Sequence, residues 1–415
     1  MTEPMRTVEE HLARILASVQ PLGGESVPVG GAIGRTLTEP LRALVDIPVF
    51  DNSAMDGFAV RFADVAGAAS ESPVRLRVVA DLPAGSALDP PIGPGEAARI
   101  MTGSAVPTAA DVIVPFEDTA LGLEGSLEMT LVRVAPRTAG LFIRRRAADA
   151  SVGDELLPRG TVVGPLQAAA AAAAGATTFV VAATPRVAVI STGSELVQPG
   201  SPLRRGQIPE SNSELLTGLV AEAGGAVVLR RSVADDEAAL REVLRHAADV
   251  AADVVVFSGG VSAGAYEVVK NTLGPGGEMS FVKVAMQPGK PQGFGRSADG
   301  ALLFGLPGNP VSVAVSFETF VRPALLALQS RAALHRPVLR LPAAVGWRTP
   351  PNRRQYLPAV IDRSDPGAWS VAPATAGGSG SHLAGGLGRA EAYAIVPAEV
   401  DEVEAGTAVD VMLLT

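Results

Sequence analysis

Apolar and polar positions along this chain follow two periods, and the changes between them mark out its parts. Thr7 followed by Glu10 fits a capping box, and apolar residues then recur at helical spacing to about Val19. A proline-punctuated stretch runs on to Phe50. From 51 to 140 short β-like runs alternate with turns. Val74-Arg75-Leu76-Arg77-Val78-Val79 and Met129-Thr130-Leu131-Val132-Arg133-Val134 are two of them, and they predict a small β-rich unit. Residues 141–184 carry Arg144-Arg145-Arg146 and then an alanine-rich helix that Gly175 ends.

After residue 185 the pattern becomes one of unbroken apolar runs, each followed by a loop and a helical stretch. Arg186–Ile190 leads into Ser191-Thr192-Gly193-Ser194-Glu195. Asp253–Phe257 leads into Ser258-Gly259-Gly260-Val261-Ser262-Ala263-Gly264. Ala301–Phe304 leads into Gly305-Leu306-Pro307-Gly308-Asn309-Pro310 and a long apolar helix to about Leu328. Asn212 or Ser211 can cap a helix that Gly224-Gly225 ends, and Asp235-Asp236 precede another. Strands alternating with helices predict a parallel, doubly wound α/β sheet. From about 335 short strands and turns return, with a glycine-rich loop at Gly377-Gly378-Ser379-Gly380, which suggests a small C-terminal β domain.

Composition narrows the function. The chain has 415 residues, 47% of them hydrophobic and 19% charged, which excludes wholesale disorder. Aromatics are 4%, too few for broad stacking on single-stranded nucleic acid. The charge sum, 34 − 43 = −9, makes a poor general polyanion binder, so an anion site has to be local. With no cysteine there is no disulfide, thiolate nucleophile or zinc-thiolate site. His11, His246, His335 and His382 are scattered, and surface roles are expected for all but His382. No basic leader with an apolar core and no long uncharged apolar run is visible. The expectation is a cytoplasmic chain with neither membrane nor nucleic acid as partner.

The basic residues are unevenly divided: lysine occurs only at 270, 283 and 290, and arginine supplies every other positive side chain. An ammonium is a compact point charge and a guanidinium a planar fork, so a crowded oxyanion site can demand the former. Glycine-rich loops beyond parallel strands offer backbone N–H groups and helix N-termini to anions, in the crevice where α/β sheets bind ligands. The dinucleotide fingerprint G-x-G-x-x-G and the Walker A motif are absent. Glu195, Asp235, Asp236 and Glu267 stand beside the loops, and Asp51-Asn52-Ser53-Ala54-Met55-Asp56-Gly57 forms a second acidic motif; such oxygen donors suit Mg²⁺.

Phe50–Val60, Met101-Thr102-Gly103, Ile143-Arg144-Arg145-Arg146, Ser191-Thr192-Gly193, Ser258–Ser262, Pro288-Gly289-Lys290-Pro291 and Gly305–Ser312 together resemble the MoeA family of molybdopterin molybdenumtransferases and the matching domain of gephyrin. The motifs fall in family order across nearly the whole chain. The resemblance implies a linker domain from 1–45 with 141–184, a β-rich domain at 46–140, a molybdopterin-binding α/β domain at 185–328 and a C-terminal β-barrel at 335–415. It implies a homodimer whose active site lies between the α/β domain of one chain and the β-rich domain of the other. The implied reaction is insertion of molybdate into adenylylated molybdopterin with release of AMP, assisted by Mg²⁺.

Motif matching carries over Asp56, Thr102, Asp149, Glu195, Glu267, Lys283 and Lys290 as catalytic candidates. It adds Glu195, Asp236 and Glu267 near the metal. Ser191, Thr192, Gly193, Ser258, Gly259, Gly260, Ser262, Pro307, Gly308, Asn309, Pro310 and Ser312 would shape the cofactor pocket. Molybdopterin adenylyltransferase and molybdoenzymes are the implied pathway partners. Glu267, Gln287 and Ser194 stand where many members have aspartate, lysine and aspartate. Two alternatives are a gephyrin-like scaffold without turnover and the adenylyltransferase step itself.

Overall fold

The computed structural model describes residues 5–123, 125–261, 267–375 and 384–414; Ser262, the Gly377–Gly380 loop and His382 lie outside them. The α/β part is built on a six-stranded sheet in the order Ala226–Val233, Arg186–Thr192, Val254–Ser258, Leu302–Leu306, Pro291–Arg296, Met279–Lys283. The first four strands are parallel. Their unbroken apolar runs reflect burial on both faces. Val187, Val189, Val254, Val256, Leu302 and Phe304 point into a core with the helices Asn212–Glu222 and Pro310–Leu328. Ala188, Ile190, Val255, Phe257 and Leu303 point the other way, onto Glu237–Asp249 and Val268–Leu273.

The sheet is not parallel throughout, as the sequence pattern led us to expect. Pro291–Arg296 runs antiparallel to both its neighbours and forms a hairpin with Met279–Lys283. Its glycines are a packing requirement. A Cβ on Gly295 would lie 1.8 Å from the Glu278 carbonyl oxygen, so only a bare backbone lets the two strands meet there.

The N-terminal half divides into two bodies. Gly24–Pro28 pairs with Thr178–Ala182 and Leu41–Arg42 with Glu155–Leu157, so distant segments share one small core around Leu37, Ala171, Phe179 and Val181. A five-stranded sheet follows, in the order Val112–Pro115, Gly57–Val60, Glu96–Ile100, Val74–Leu82, Met129–Val132. The first helix, Val8–Ala17, which the domain expectation grouped with the linker, packs against the α/β core. It starts with the capping box of Thr7 and Glu10, and its Val8 and Ile15 enter the α/β core. There it contacts the helix that ends at Leu328.

His11 on this helix is 1% exposed, against the surface role expected for it, and packs edge-on to Phe320 with ring centroids 4.8 Å apart. Burial, with the nearby charges of Arg6 and Arg14, pushes its pKa down from 6.5 to about 4. Above pH 6.5 the imidazole is neutral folded and unfolded. Below it the unfolded chain takes up the proton first, so stability is lost as pH falls toward 4. The wild-type stability advantage over His11→Leu should therefore shrink by about 2 kcal/mol between pH 7.5 and pH 5. Urea denaturation at both pH values checks this, and an unchanged gap would refute it.

The C-terminal strands close on themselves, as a barrel requires. Arg354–Asp362, Ala392–Val396, Ala408–Leu413 and Val338–Pro342 pair in series. Ala343 then bridges to Val371 of the strand Ser370–Pro373, which returns to pair with Arg354–Asp362. One further pairing positions the site. Met286-Gln287, between the α/β strands, runs parallel to Arg354-Gln355 and brings the barrel to the sheet's edge. Pro310–Leu328 is the one described helix long and apolar enough to cross a membrane, and 89% of it is buried inside the protein.

Candidate active site

The three glycine-loop strands, Arg186–Thr192, Val254–Ser258 and Leu302–Leu306, are sheet neighbours and parallel, so their loops emerge side by side. The strand order reverses there, since Ala226–Val233 lies on the other side of Arg186–Thr192, and a crevice opens at such a point. It is a cleft of about 640 Å³.

The floor of the cleft is backbone packed on backbone. Gly259 has φ +92°, and a Cβ on it would lie 2.6 Å from the Thr192 carbonyl oxygen. A Cβ on Gly308 would sit 3.6 Å from the Gly259 Cα, which joins the second loop to the third. Beneath, Ser258 Oγ donates to Ser191 Oγ at 3.2 Å, and Ser191 Oγ donates to the buried Glu210 carboxylate at 2.9 Å. Asn212 ties the opposite wall to the third loop by donating from Nδ2 to the Gly308 carbonyl at 2.7 Å. Thr192 Oγ1 and Asn212 Oδ1 are closed off from solvent and lack a partner among the described residues. An unmade bond of this kind costs about 1–3 kcal/mol.

Most of the expected pocket residues meet here. Thr192, Gly193, Ser258, Gly259, Gly260, Pro307, Gly308, Asn309, Pro310 and Ser312 line the cleft, and so do Glu195, Glu267 and Lys290. Ser191 lies behind the floor as part of the Glu210 network. The loop bearing Lys290 is closely tied. Val284 N–H donates to the Lys290 carbonyl at 2.8 Å. The buried amide of Gln292 donates to the Gly289 carbonyl at 2.6 Å and to Ser316 Oγ at 2.8 Å. Gly289 has φ +103°, and a Cβ there would come within 2.9 Å of Ser316 Oγ. The ammonium is thus exposed on a rigid loop.

Other candidates lie elsewhere. Asp236 caps the helix Glu237–Asp249 by accepting from Ala239 N–H at 2.8 Å, and it is Asp235 that lines the cleft. Both follow the strand that ends at Val233, and which of two adjacent aspartates takes the helix cap could not be told from sequence spacing. Lys283 is exposed at the end of its strand, opposite Pro291, and does not line the cleft. Asp149 is exposed in the turn near Arg146. Asp56 and Thr102 stand on the β-rich sheet, away from this chain's own cleft. There Thr102 N–H and Oγ1 both donate to Asp56 Oδ1, at 2.6 and 2.7 Å. These bonds, the backbone one first, hold the Asp56 carboxyl below the ordinary carboxylate range.

Sequence reasoning missed Asn212 as a wall residue and Arg353, which reaches the cleft from just before the barrel strand Arg354–Asp362. Asn212 showed only as a helix start, and Arg353 arrives through a two-residue strand pairing that leaves no periodic signal. Among the described residues no three His, Asp or Glu side chains converge as a preformed metal site. The cleft instead sets Glu195, Asp235 and Glu267 against Lys290 and Arg353, around N–H-rich loops.

Comparison with known proteins agrees with this architecture. Residues 6–175 match the MoeA N-terminal region (domain I and II), 188–327 a probable molybdopterin binding domain, and 340–414 the MoeA C-terminal region (domain IV). Molybdopterin molybdenumtransferase 2 of Mycobacterium tuberculosis is 42% identical over 99% of this chain and all of its own. The molybdopterin molybdenumtransferase of Nostoc sp. is 38% identical over 76% of this chain and 71% of its own. Two crystal structures of the molybdopterin biosynthesis MoeA protein of Pyrococcus horikoshii superpose with TM-scores of 0.83 and 0.82, at 31% and 26% identity, over 99% of this chain and all of theirs. With its three regions matched in order and its length covered, this chain belongs to the MoeA family of molybdopterin molybdenumtransferases.

Proposed function

We propose that the cleft inserts molybdate into adenylylated molybdopterin and releases AMP. The observation that carries this reading is the convergence of three glycine-rich strand-end loops with Lys290, Arg353 and three carboxylates in one crevice. Both substrates are oxyanions. The backbone N–H groups and the two cations suit phosphate and molybdate, and the dithiolene of the pterin supplies the soft sulfur ligands that a chain without cysteine lacks. The sulfurs displace an oxide, which leaves as water with the two thiol protons. A water cleaves the phosphoanhydride, so AMP departs and molybdopterin keeps its own phosphate. The protein's part is to position the groups and balance their charge.

The residues present fit Mg²⁺. The ion characteristically takes one or two carboxylates together with substrate phosphate oxygens, and the cleft offers carboxylates beside N–H-rich loops that suit a phosphate. Of the three cleft carboxylates Glu195 and Asp235 would hold it, and Asp236, committed to its helix cap, would not. Bound there, it would neutralise the phosphoanhydride oxygens. We further propose a cytoplasmic homodimer in which the Asp56–Thr102 pair faces the partner's cleft. That accounts for an oriented, low-pKa carboxylate that no group in its own chain's cleft uses.

The test is AMP release from adenylylated molybdopterin on addition of molybdate and Mg²⁺, with the mass in solution read by light scattering. Release that requires molybdate supports insertion. A folded sample that releases none would instead favour a scaffold role. ATP-dependent adenylylation would favour the adenylyltransferase reading, which accounts for residues 188–327 alone. A single-chain mass in an active sample would remove the dimer.

A further inference from the structure

We propose that Ser194 is a positioning residue, which clips two loops together and so fixes Asp235 beside Glu195 for the metal. The inference rests on the magnesium reading given above. Strands Arg186–Thr192 and Ala226–Val233 shift register once, between Val187 and Ala188, and from Ala188 stay paired to their ends, with Thr192 opposite Val233, and Gly193 N–H donates to the Val233 carbonyl at 3.2 Å. Pairing then passes from backbone to side chain. Ser194 N–H and Oγ both donate to Asp235 Oδ2, at 3.1 and 3.2 Å, and Asp235 N–H donates to Ser194 Oγ at 3.3 Å. A hydroxyl has one proton to give and two lone pairs, and the reciprocal arrangement uses the proton and one of the lone pairs.

The geometry separates two jobs. Ser194 does not line the main cleft; it lines a smaller hollow with Val233 and Ala234. Asp235 and Glu195 do line the main cleft. The clip engages one oxygen of Asp235 from behind, and among the described residues Oδ1 takes no hydrogen bond, which leaves it for the ligand side. Groups that orient metal-holding carboxylates in this way commonly set metal affinity by about tenfold or more. Serine has a further effect here. An acidic side chain at 194 would bring a second negative charge against Asp235 Oδ2, whereas the hydroxyl holds the carboxylate without repelling it.

The experiment is Mn²⁺ binding, read by electron paramagnetic resonance, to protein saturated with AMP. AMP affinity without metal is measured separately by calorimetry. Ser194→Ala keeps the backbone donor and loses the hydroxyl. It should weaken Mn²⁺ about tenfold while metal-free AMP affinity stays within about twofold. Ser194→Thr, which keeps the hydroxyl, should restore the wild-type value. Equal Mn²⁺ affinity in wild type and Ser194→Ala would overturn this assignment and leave the magnesium reading standing. A parallel loss of metal-free AMP affinity would also overturn it, by showing collapse of the loop. If wild type bound no Mn²⁺ beside AMP, both readings would fall.

Discussion

Replacing Lys290 with alanine should lower kcat/KM for molybdate-dependent AMP release by about a hundredfold to a thousandfold, with no change in denaturation midpoint. The ammonium is exposed, so its loss leaves no buried charge behind. The bonds that hold the loop come from Val284, Gln292 and the glycine at 289, none of which is touched. What disappears is a preplaced positive charge at the oxyanion position, the kind of loss that costs catalysis about two to three decades. Lys290→Arg is the sharper variant. It conserves the charge, but its fork is longer and planar, and the loop cannot retreat to admit it because Gly289 already lies against Ser316. We expect at least a tenfold fall. Full turnover by Lys290→Arg would mean that the cleft needs only charge at this point, and the concentration of lysine in residues 270–290 would have no bearing on the chemistry.

The same region shows how far the sequence could be read. Strand runs ending in glycine loops are a local signal, and they located the cleft because neighbouring parallel strands present their loops at one edge. What escaped notice depends on long-range pairing. The hairpin Met279–Arg296 is rich in glycine because other atoms press on its backbone, and glycine erases the alternation by which strands are recognised. Arg353 enters the site only because Met286-Gln287 pairs with Arg354-Gln355 across the boundary with the barrel. Asp235 and Asp236 differ by one residue, but Asp235 sits in the bend after the strand that ends at Val233, while Asp236 is taken up as the cap of the next helix. His11 looked like a surface residue of a short amphipathic helix until that helix proved to be covered on the histidine side by Phe320.

A second large effect is expected where the α/β core meets the barrel. Glu318 lies in a π-helical turn, Phe317–Val321, with its side chain 2% exposed. Arg336 approaches from the segment leading into the first barrel strand and grips both carboxylate oxygens, with Nε and Nη2 each at 3.0 Å; Arg322 stands 3.7 Å away. Burial works against the Arg336 charge, but the hydrogen bonds it donates to Glu318 and Glu222, with their negative charges, outweigh it and hold the guanidinium above its ordinary pKa. Glu318→Ala removes the carboxylate between two largely buried guanidinium groups and leaves Arg336 only the exposed Glu222, so it should cost about 3–5 kcal/mol in urea denaturation. Glu318→Met combined with Arg336→Met should cost less than the sum of the two single changes, because the bidentate pair then goes as a unit and only Arg322 loses its carboxylate. A loss under about 1 kcal/mol in Glu318→Ala would mean that water reaches the pair freely. The junction would then owe its rigidity to Tyr356 and Tyr393, which pack into the same core from the barrel side.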